Sequence, residues 1–222
     1  HAVADKIGAV YGSCMDEEAI EKAGTSAIKP LLSVVNKVKN TKTLDAAISE
    51  LHKRGISVLF RFSSTPDFID ATKMIGDLGQ GGLGLPDKDY YLKDDERSKG
   101  LRKAYVEHVE AMLTLGGMKG KAAKKAAADV MAIETALAKV TMDRQDRHDP
   151  KKVYHKIDRA GVEKLVATFN WAGYFKTLGF PEIQEINVDS EEFFGRINTI
   201  RGEFKGSAWK NYLTWHVYDT MA

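Results

Sequence analysis

Six histidines, one cysteine and a glycine-rich stretch are the places where this chain could do chemistry. The histidines are His1, His52, His108, His148, His155 and His216. A zinc hydrolase built on one helix needs H-E-x-x-H, which sets two imidazoles on one face beside a catalytic glutamate. No pair here has that spacing. His108 sits between acids in EHVE (107–110), near an apolar stripe, and a packed or partly exposed histidine accounts for it. His148 and His155 are separated by Asp149–Pro150, which breaks any helix they might share. Cys14 lies in YGSCMDEE, where acidic neighbours argue against a reactive thiolate. No G-x-S-x-G elbow is present. The residues therefore offer no catalytic, cofactor-binding or metal-ligating site.

The glycine-rich stretch QGGLGLPDKDYYLKDDE (80–96) invites a phosphate-loop reading, and its details argue against one. A P-loop requires Lys followed by Ser or Thr, whereas Lys88 precedes Asp89. A dinucleotide fingerprint would need a third glycine where Asp87 stands. Asp87 and Asp89 also repel phosphate. A turn explains the composition better: Gly79, Gly81, Gly82 and Gly84 allow positive φ or close backbone approach, and Pro86 fixes direction. Tyr90, Tyr91 and Leu92 then anchor the exit. The run KGKAAKKAAADV (119–130) carries four lysines without aromatic residues. The chain's net charge is only +2, so a solvated, alanine-rich helix face fits better than a nucleic-acid surface.

The elements that must hold these residues are mostly helical. Val3, Ile7 and Val10–Tyr11 share one face of a first helix, and Asp16 caps a second that Gly24 stops. Pro30 to about Lys39, and Thr43 to Arg54, follow with apolar sides. ISVLFRF (56–62) and ATKMIGDL (71–78), joined by SSTPDF, predict one short β-hairpin. Asp94 or Asp95 caps a helix running to about Leu115. Ala126, Val130, Ile133, Leu137 and Val140 form the longest regular stripe, over residues 121–142. AGVEKLVATF, WAGYFKTLG, EEFFGRINTIRGEF and SAWKNYLTWHVYDT predict further helices, with EINVDS extended between them. The fold class is mainly α, a multi-helix domain with one small β-hairpin at about residues 56–78. At 43% hydrophobic the chain can bury a core, and no apolar run approaches the roughly 18 residues a membrane helix needs. Both ends read as cuts through helices, so a piece of a longer protein is expected.

Several of these segments together resemble the neprilysin-like family of zinc metallopeptidases, which includes endothelin-converting enzymes and bacterial oligopeptidases. QGGLGLPDKDYYL is similar to that family's Q-x-G-L-G-L-P-x-[RK]-x-Y-Y segment. YGSCMDEEAIEKAG resembles Y-x-S-C-M-[ND]-x-x-x-I-E-x-x-G. IETALAKVTMDRQDRHDPKKVYHKI resembles I-E-x-x-L-A … R-x-x-x-x-x-Y-x, with His155 where asparagine is common. SAWKNYLTWHVYD is similar to a [VL]-x-x-Y-L-x-W-x helix. The matches keep family order over the whole chain.

The resemblance implies an N-terminal portion of a helical domain that closes over a zinc-bearing catalytic domain. It implies zinc in the parent enzyme and none in this chain, with oligopeptides as the parent's substrates. The missing catalytic domain of the same protein would be the partner. The family's H-E-x-x-H, E-x-x-x-D and N-A-[FY] segments are absent from residues 1–222, so no catalytic residue carries over. In extracellular members the cysteine equivalent to Cys14 pairs with a later one, and no partner for it lies in this sequence. Extracellular, periplasmic and bacterial cytoplasmic settings all stay open. The leading expectation is a single helical lid domain, 1–222, that limits substrate size. A stand-alone helical interaction module is the alternative, and weak nucleic-acid binding through residues 119–125 a third reading.

Overall fold

The computed structural model describes residues 2–221; His1 lies outside the described residues. The chain begins with α1 (Ala2–Cys14), α2 (Glu17–Ala23), α3 (Lys29–Asn36) and α4 (Thr41–His52). The hairpin β1 (Phe60–Pro66) and β2 (Met74–Gln80) follows, then α5 (Asp89–Leu92), α6 (Glu96–Leu115) and α7 (Gly120–Ala138). Next come α8 (Pro150–Val153), β3 (Lys156–Asp158), α9 (Arg159–Leu165), α10 (Trp171–Leu178) and β4 (Glu185–Val188). The chain closes with α11 (Glu191–Glu203) and α12 (Gly206–Met221). The architecture is mainly α, as the periodicity predicts.

Local chemistry sets the helix starts. Asp95 accepts the Ser98 amide and caps α6. Asn40 accepts the Thr43 amide while Thr43 Oγ1 accepts the Asn40 amide, a reciprocal cap on α4. Asp16 caps α2 through the Ala19 amide. The α7 stripe is buried as its spacing requires: Ala126, Val130, Ile133 and Leu137 have no exposed surface. Each large member contributes roughly 1.5–3 kcal/mol of apolar burial. That stripe packs against α6 and α12, while α10 packs on α4. In α12, Trp209, Tyr212, Leu213, Trp215, His216 and Val217 are all buried, so this helix is enclosed on most sides. Among the described residues no helix is long and apolar enough to cross a membrane.

The sheet departs from expectation in extent and position. It has four strands in the order β1-β2-β4-β3. β1 and β2 are antiparallel from Phe60↔Gln80 to Pro66↔Met74. β4 joins parallel to β2 through Gly76↔Ile186, and β3 joins β4 antiparallel through Ile157↔Ile186. The EINV of EINVDS is thus a sheet strand, and KID (156–158) is one whose shortness left no pattern to read. An isolated hairpin is marginal in water; two further strands relieve that. The hairpin itself sits later than predicted. Ile56, Val58 and Leu59 are core residues ahead of the strand, and Leu59 at φ 65° turns the chain before pairing begins. Ser63–Pro66, read as turn, are strand. The actual turn is closed by the Asp67 amide donating to the Lys73 carbonyl (2.9 Å). α9 ends at Leu165, short of the predicted Phe169. There the Val166 carbonyl accepts Trp171 Nε1 (3.2 Å) and Asn170 caps α10.

α1 and α2 bury no residue, which among the other α-helices holds only for the four-residue α8. Val3, Ile7, Val10, Tyr11, Met15 and Ile20 are each more than half exposed.

Candidate functional site

Residues 80–92 make several long-range contacts to polar side chains. Gly82, at φ 81°, brings its backbone against Tyr212, Leu137 and Leu59; a Cβ there would lie 2.6 Å from the Tyr212 hydroxyl. Tyr212 OH donates to the Gly82 carbonyl (2.9 Å) and accepts the Leu59 amide (3.0 Å). Gly84 packs directly on the Tyr105 hydroxyl, leaving no room for a side chain. The stretch is therefore glycine-rich because aromatic side chains of α6 and α12 occupy the space.

Below it lies Glu134, fully buried on α7. Its carboxylate accepts Tyr91 OH (2.6 Å) and Tyr105 OH (3.0 Å), and His216 Nε2 is 3.3 Å away. Trp215 Nε1 donates in turn to Tyr105 OH (2.8 Å), and the Leu85 amide to Tyr91 OH (2.7 Å). Burial first, then the Glu134 charge, pushes the Tyr91 and Tyr105 phenols well above their usual range. Those phenols stay protonated and donate. With both phenols donating to it, and Trp215 donating to Tyr105, this carboxylate fastens α5, α6, α7 and α12 together. Its sequence signal was a single acid on the apolar stripe of α7, between Ile133 and Leu137.

The acids of the stretch serve structure too. Asp87 accepts Arg147 Nη2 (2.9 Å) and its own loop's Asp89 amide (3.0 Å). Lys88 pairs with Asp143 (2.8 Å). At the entry, the Gln80 amide donates to both oxygens of Asp189 (3.0 and 2.9 Å). Gln80 Oε1 accepts the Met142 amide (2.9 Å), and Arg61 Nε donates to the Gln80 carbonyl (3.0 Å). Burial pushes the Asp189 carboxyl up to about 6; the Gln80 amide opposes that, Asp77 adds to it, and Arg61 and Arg147 oppose it. Sequence reading placed Gln80 and Arg147 in two family-like segments without giving them a role, and did not single out Arg61 or Asp189. The four come from separate segments, and nothing local links them.

The histidines remain dispersed. His52 is a core residue between Tyr174 OH (2.7 Å from Nδ1) and the Val58 carbonyl (2.9 Å from Nε2). Burial lowers it to about 4, which keeps it neutral. His108 is exposed on α6, edge-on to Trp215. His155 Nδ1 lies 2.9 Å from the Val188 carbonyl. Among the described residues no three His, Cys, Asp or Glu side chains are grouped as a metal ion would need. Cys14 is exposed on α1. On α7, Ala123, Ala126 and Ala127 face inward, while Lys121, Lys124 and Lys125 face solvent and Lys125 pairs with Asp129 (2.7 Å).

An all-round helical body with a small mixed sheet and a glycine turn sealed by tyrosines defines a class of helical domain. The model of Peptidase family M13, in its N-terminal form, matches residues 1–222, and the chain belongs to that family. Endothelin-converting enzyme 1 of Bos taurus is 26% identical over 93% of this chain and 29% of its own length. Membrane metallo-endopeptidase-like 1 of Mus musculus is 25% identical over 96% of this chain and 31% of its own. Among solved structures, the Mycobacterium tuberculosis zinc metalloprotease ZMP1 in complex with an inhibitor superposes with a TM-score of 0.87 at 28% identity. That match covers 95% of this chain and 32% of ZMP1. The chain thus spans about a third of the length of these relatives and corresponds to their N-terminal part.

Proposed function

We propose that residues 1–222 act as one non-catalytic helical lid of a zinc metalloendopeptidase, closing over a catalytic domain supplied by further sequence of the same protein. In the parent, zinc would activate water and a glutamate would serve as general base. This portion would wall the chamber and restrict entry to oligopeptides by size, with closure as a hinge motion. The observation that carries the reading is the uncovered stripe of α1 and α2, whose apolar residues run at helical spacing with nothing packed on them. An amphipathic helix ordinarily buries such a stripe, and the longer relatives offer the chain to cover it. The absence of H-E-x-x-H from the sequence supports the non-catalytic role.

Elemental analysis for zinc beside a fluorogenic peptide assay tests this on the purified chain. The expected result is no stoichiometric zinc and no cleavage, with both appearing when the polypeptide is extended to include an H-E-x-x-H helix. Zinc at one per chain with cleavage by residues 1–222 would overturn it. In the extended protein, size restriction predicts cleavage of short peptides and sparing of folded proteins. Equal cleavage of both would remove the gating role.

A further inference from the structure

The glycine-rich turn also forms one wall of a cleft of about 370 Å³, with Ser57, Arg61, Gln80, Thr141 and Arg147 on the others. Among the described residues no carboxylate lines it. Its polar lining is rich in donors and short of acceptors. Gln80 is buried, and its Nε2 has no hydrogen-bond partner among the described residues, because Oε1 alone is engaged, by the Met142 amide. Arg147 Nε is likewise buried and unpartnered. Arg61, exposed on β1, uses Nε on the Gln80 carbonyl and keeps Nη2 beside Gly79. Gln80 and the two arginines belong to three segments, so their convergence is a product of the fold. Buried donors without acceptors are costly, and two at one cleft, Gln80 Nε2 and Arg147 Nε, beside the exposed Arg61, call for an acceptor from outside.

The charge balance narrows the ligand. Asp87 takes Arg147 Nη2 (2.9 Å), and Asp189 lies within electrostatic reach of both arginines. The two arginines are matched by these two carboxylates, so no large positive surplus remains, and a dianion such as phosphate would meet Asp87 and Asp189 at close range. A planar group with one charge and two oxygens matches a guanidinium fork. We propose that this cleft binds a small monocarboxylate, held by the Arg61 and Arg147 guanidinium groups with Gln80 Nε2 as a further donor. The site is independent of the lid reading, and either can fail without the other.

The probe is N-acetylglycine, titrated into the 222-residue chain at fixed ionic strength with chloride as balance. A saturable rise in thermal midpoint is expected, together with movement of the Gln80 side-chain amide resonance. Arg61→Gln should weaken the apparent affinity by about tenfold or more, as loss of a charged partner does. Gln80→Glu keeps an acceptor for the Met142 amide and places a carboxylate in the cleft, so it should raise the midpoint without ligand and abolish the response to it. The proposal is overturned by no saturable response in the wild-type chain, or by an equal response to inorganic phosphate. Unchanged binding in a folded Arg61→Gln variant overturns it as well. Should that variant not fold, the wild-type titration and Gln80→Glu decide the matter.

Discussion

Arg201 and Asp45 form an ion pair sealed inside the protein, and breaking it should be the most damaging polar change in the chain. Asp45 on α4 and Arg201 on α11 are both buried, and Arg201 Nη2 donates to Asp45 Oδ1. The second Asp45 oxygen accepts the Asn170 amide at the start of α10 (3.1 Å), and Arg201 Nη1 donates to Thr168 Oγ1 (3.0 Å). The guanidinium also lies over the Phe169 ring, 5.1 Å from its centroid. Burial raises the Asp45 carboxyl against the pull of Arg201, and burial lowers Arg201 against the pull of Asp45. Removing one partner leaves a charge with no solvent and no counterion, which costs about 3–5 kcal/mol. Unfolding entropy of about 2.1 cal/mol/K per residue gives about 0.5 kcal/mol/K for 222 residues. Arg201→Met alone and Asp45→Asn alone should therefore each lower the melting temperature by about 6–11 °C. In the double variant no charge is stranded, and its loss should fall short of the summed single losses by about 2 kcal/mol or more. Calorimetry on the four proteins measures the cycle. Arg201→Met should also be least harmful at low pH, where the stranded Asp45 carboxyl is protonated. Single losses under about 1 kcal/mol, the range of a solvent-exposed pair, would refute the reasoning; so would strictly additive ones.

Two further expectations concern the glycine turn. Gly84→Ala drives a methyl into the Tyr105 hydroxyl and its bond to Glu134, so a loss of about 1–3 kcal/mol is expected in denaturant melts. Gly100→Ala, on exposed α6 with nothing near its Cβ position, should instead add about 0.5–1 kcal/mol; the same sign for both would contradict the packing account. The Asp189 carboxyl titrates near 6 in the fold against an ordinary 3.8, so the native state holds the proton more tightly than the unfolded chain. Its contribution is fully present below pH about 4 and is lost as pH rises through about 6. Asp189→Asn keeps an acceptor for the Gln80 amide, and should stabilise the protein at pH 7 by about 1–3 kcal/mol while flattening stability between pH 4 and 6. A destabilised Asn variant at pH 7 would reverse the sign of that argument.

Much of the fold was legible because local rules act within a few residues. The stripe Ala126, Val130, Ile133, Leu137 announced α7 and its buried face. Asp16 and Asp95 stand where helix starts need an acceptor. The ordered segments from YGSCMDEE to YLTWHVYD marked the family from the residues alone. Non-local pairing was not legible. KID joined the sheet only because β4 lies beside it, and Leu59 turned the hairpin's entry because Tyr212, 153 residues away, holds its amide. QGGLGLPDKDYY looked like a turn, and it is one. That its glycines make way for Tyr105 and Tyr212, and that Gln80 meets Arg61 and Arg147 at a cleft, depended on packing. The sequence by itself determined where the long helices form, since hydrogen bonds and apolar periodicity within a helix reach only a turn or two, while the four-residue α5 and α8 left no period to read. Only the tertiary structure decided which buried groups find partners, because satisfaction of a donor depends on segments that the chain brings together from a distance.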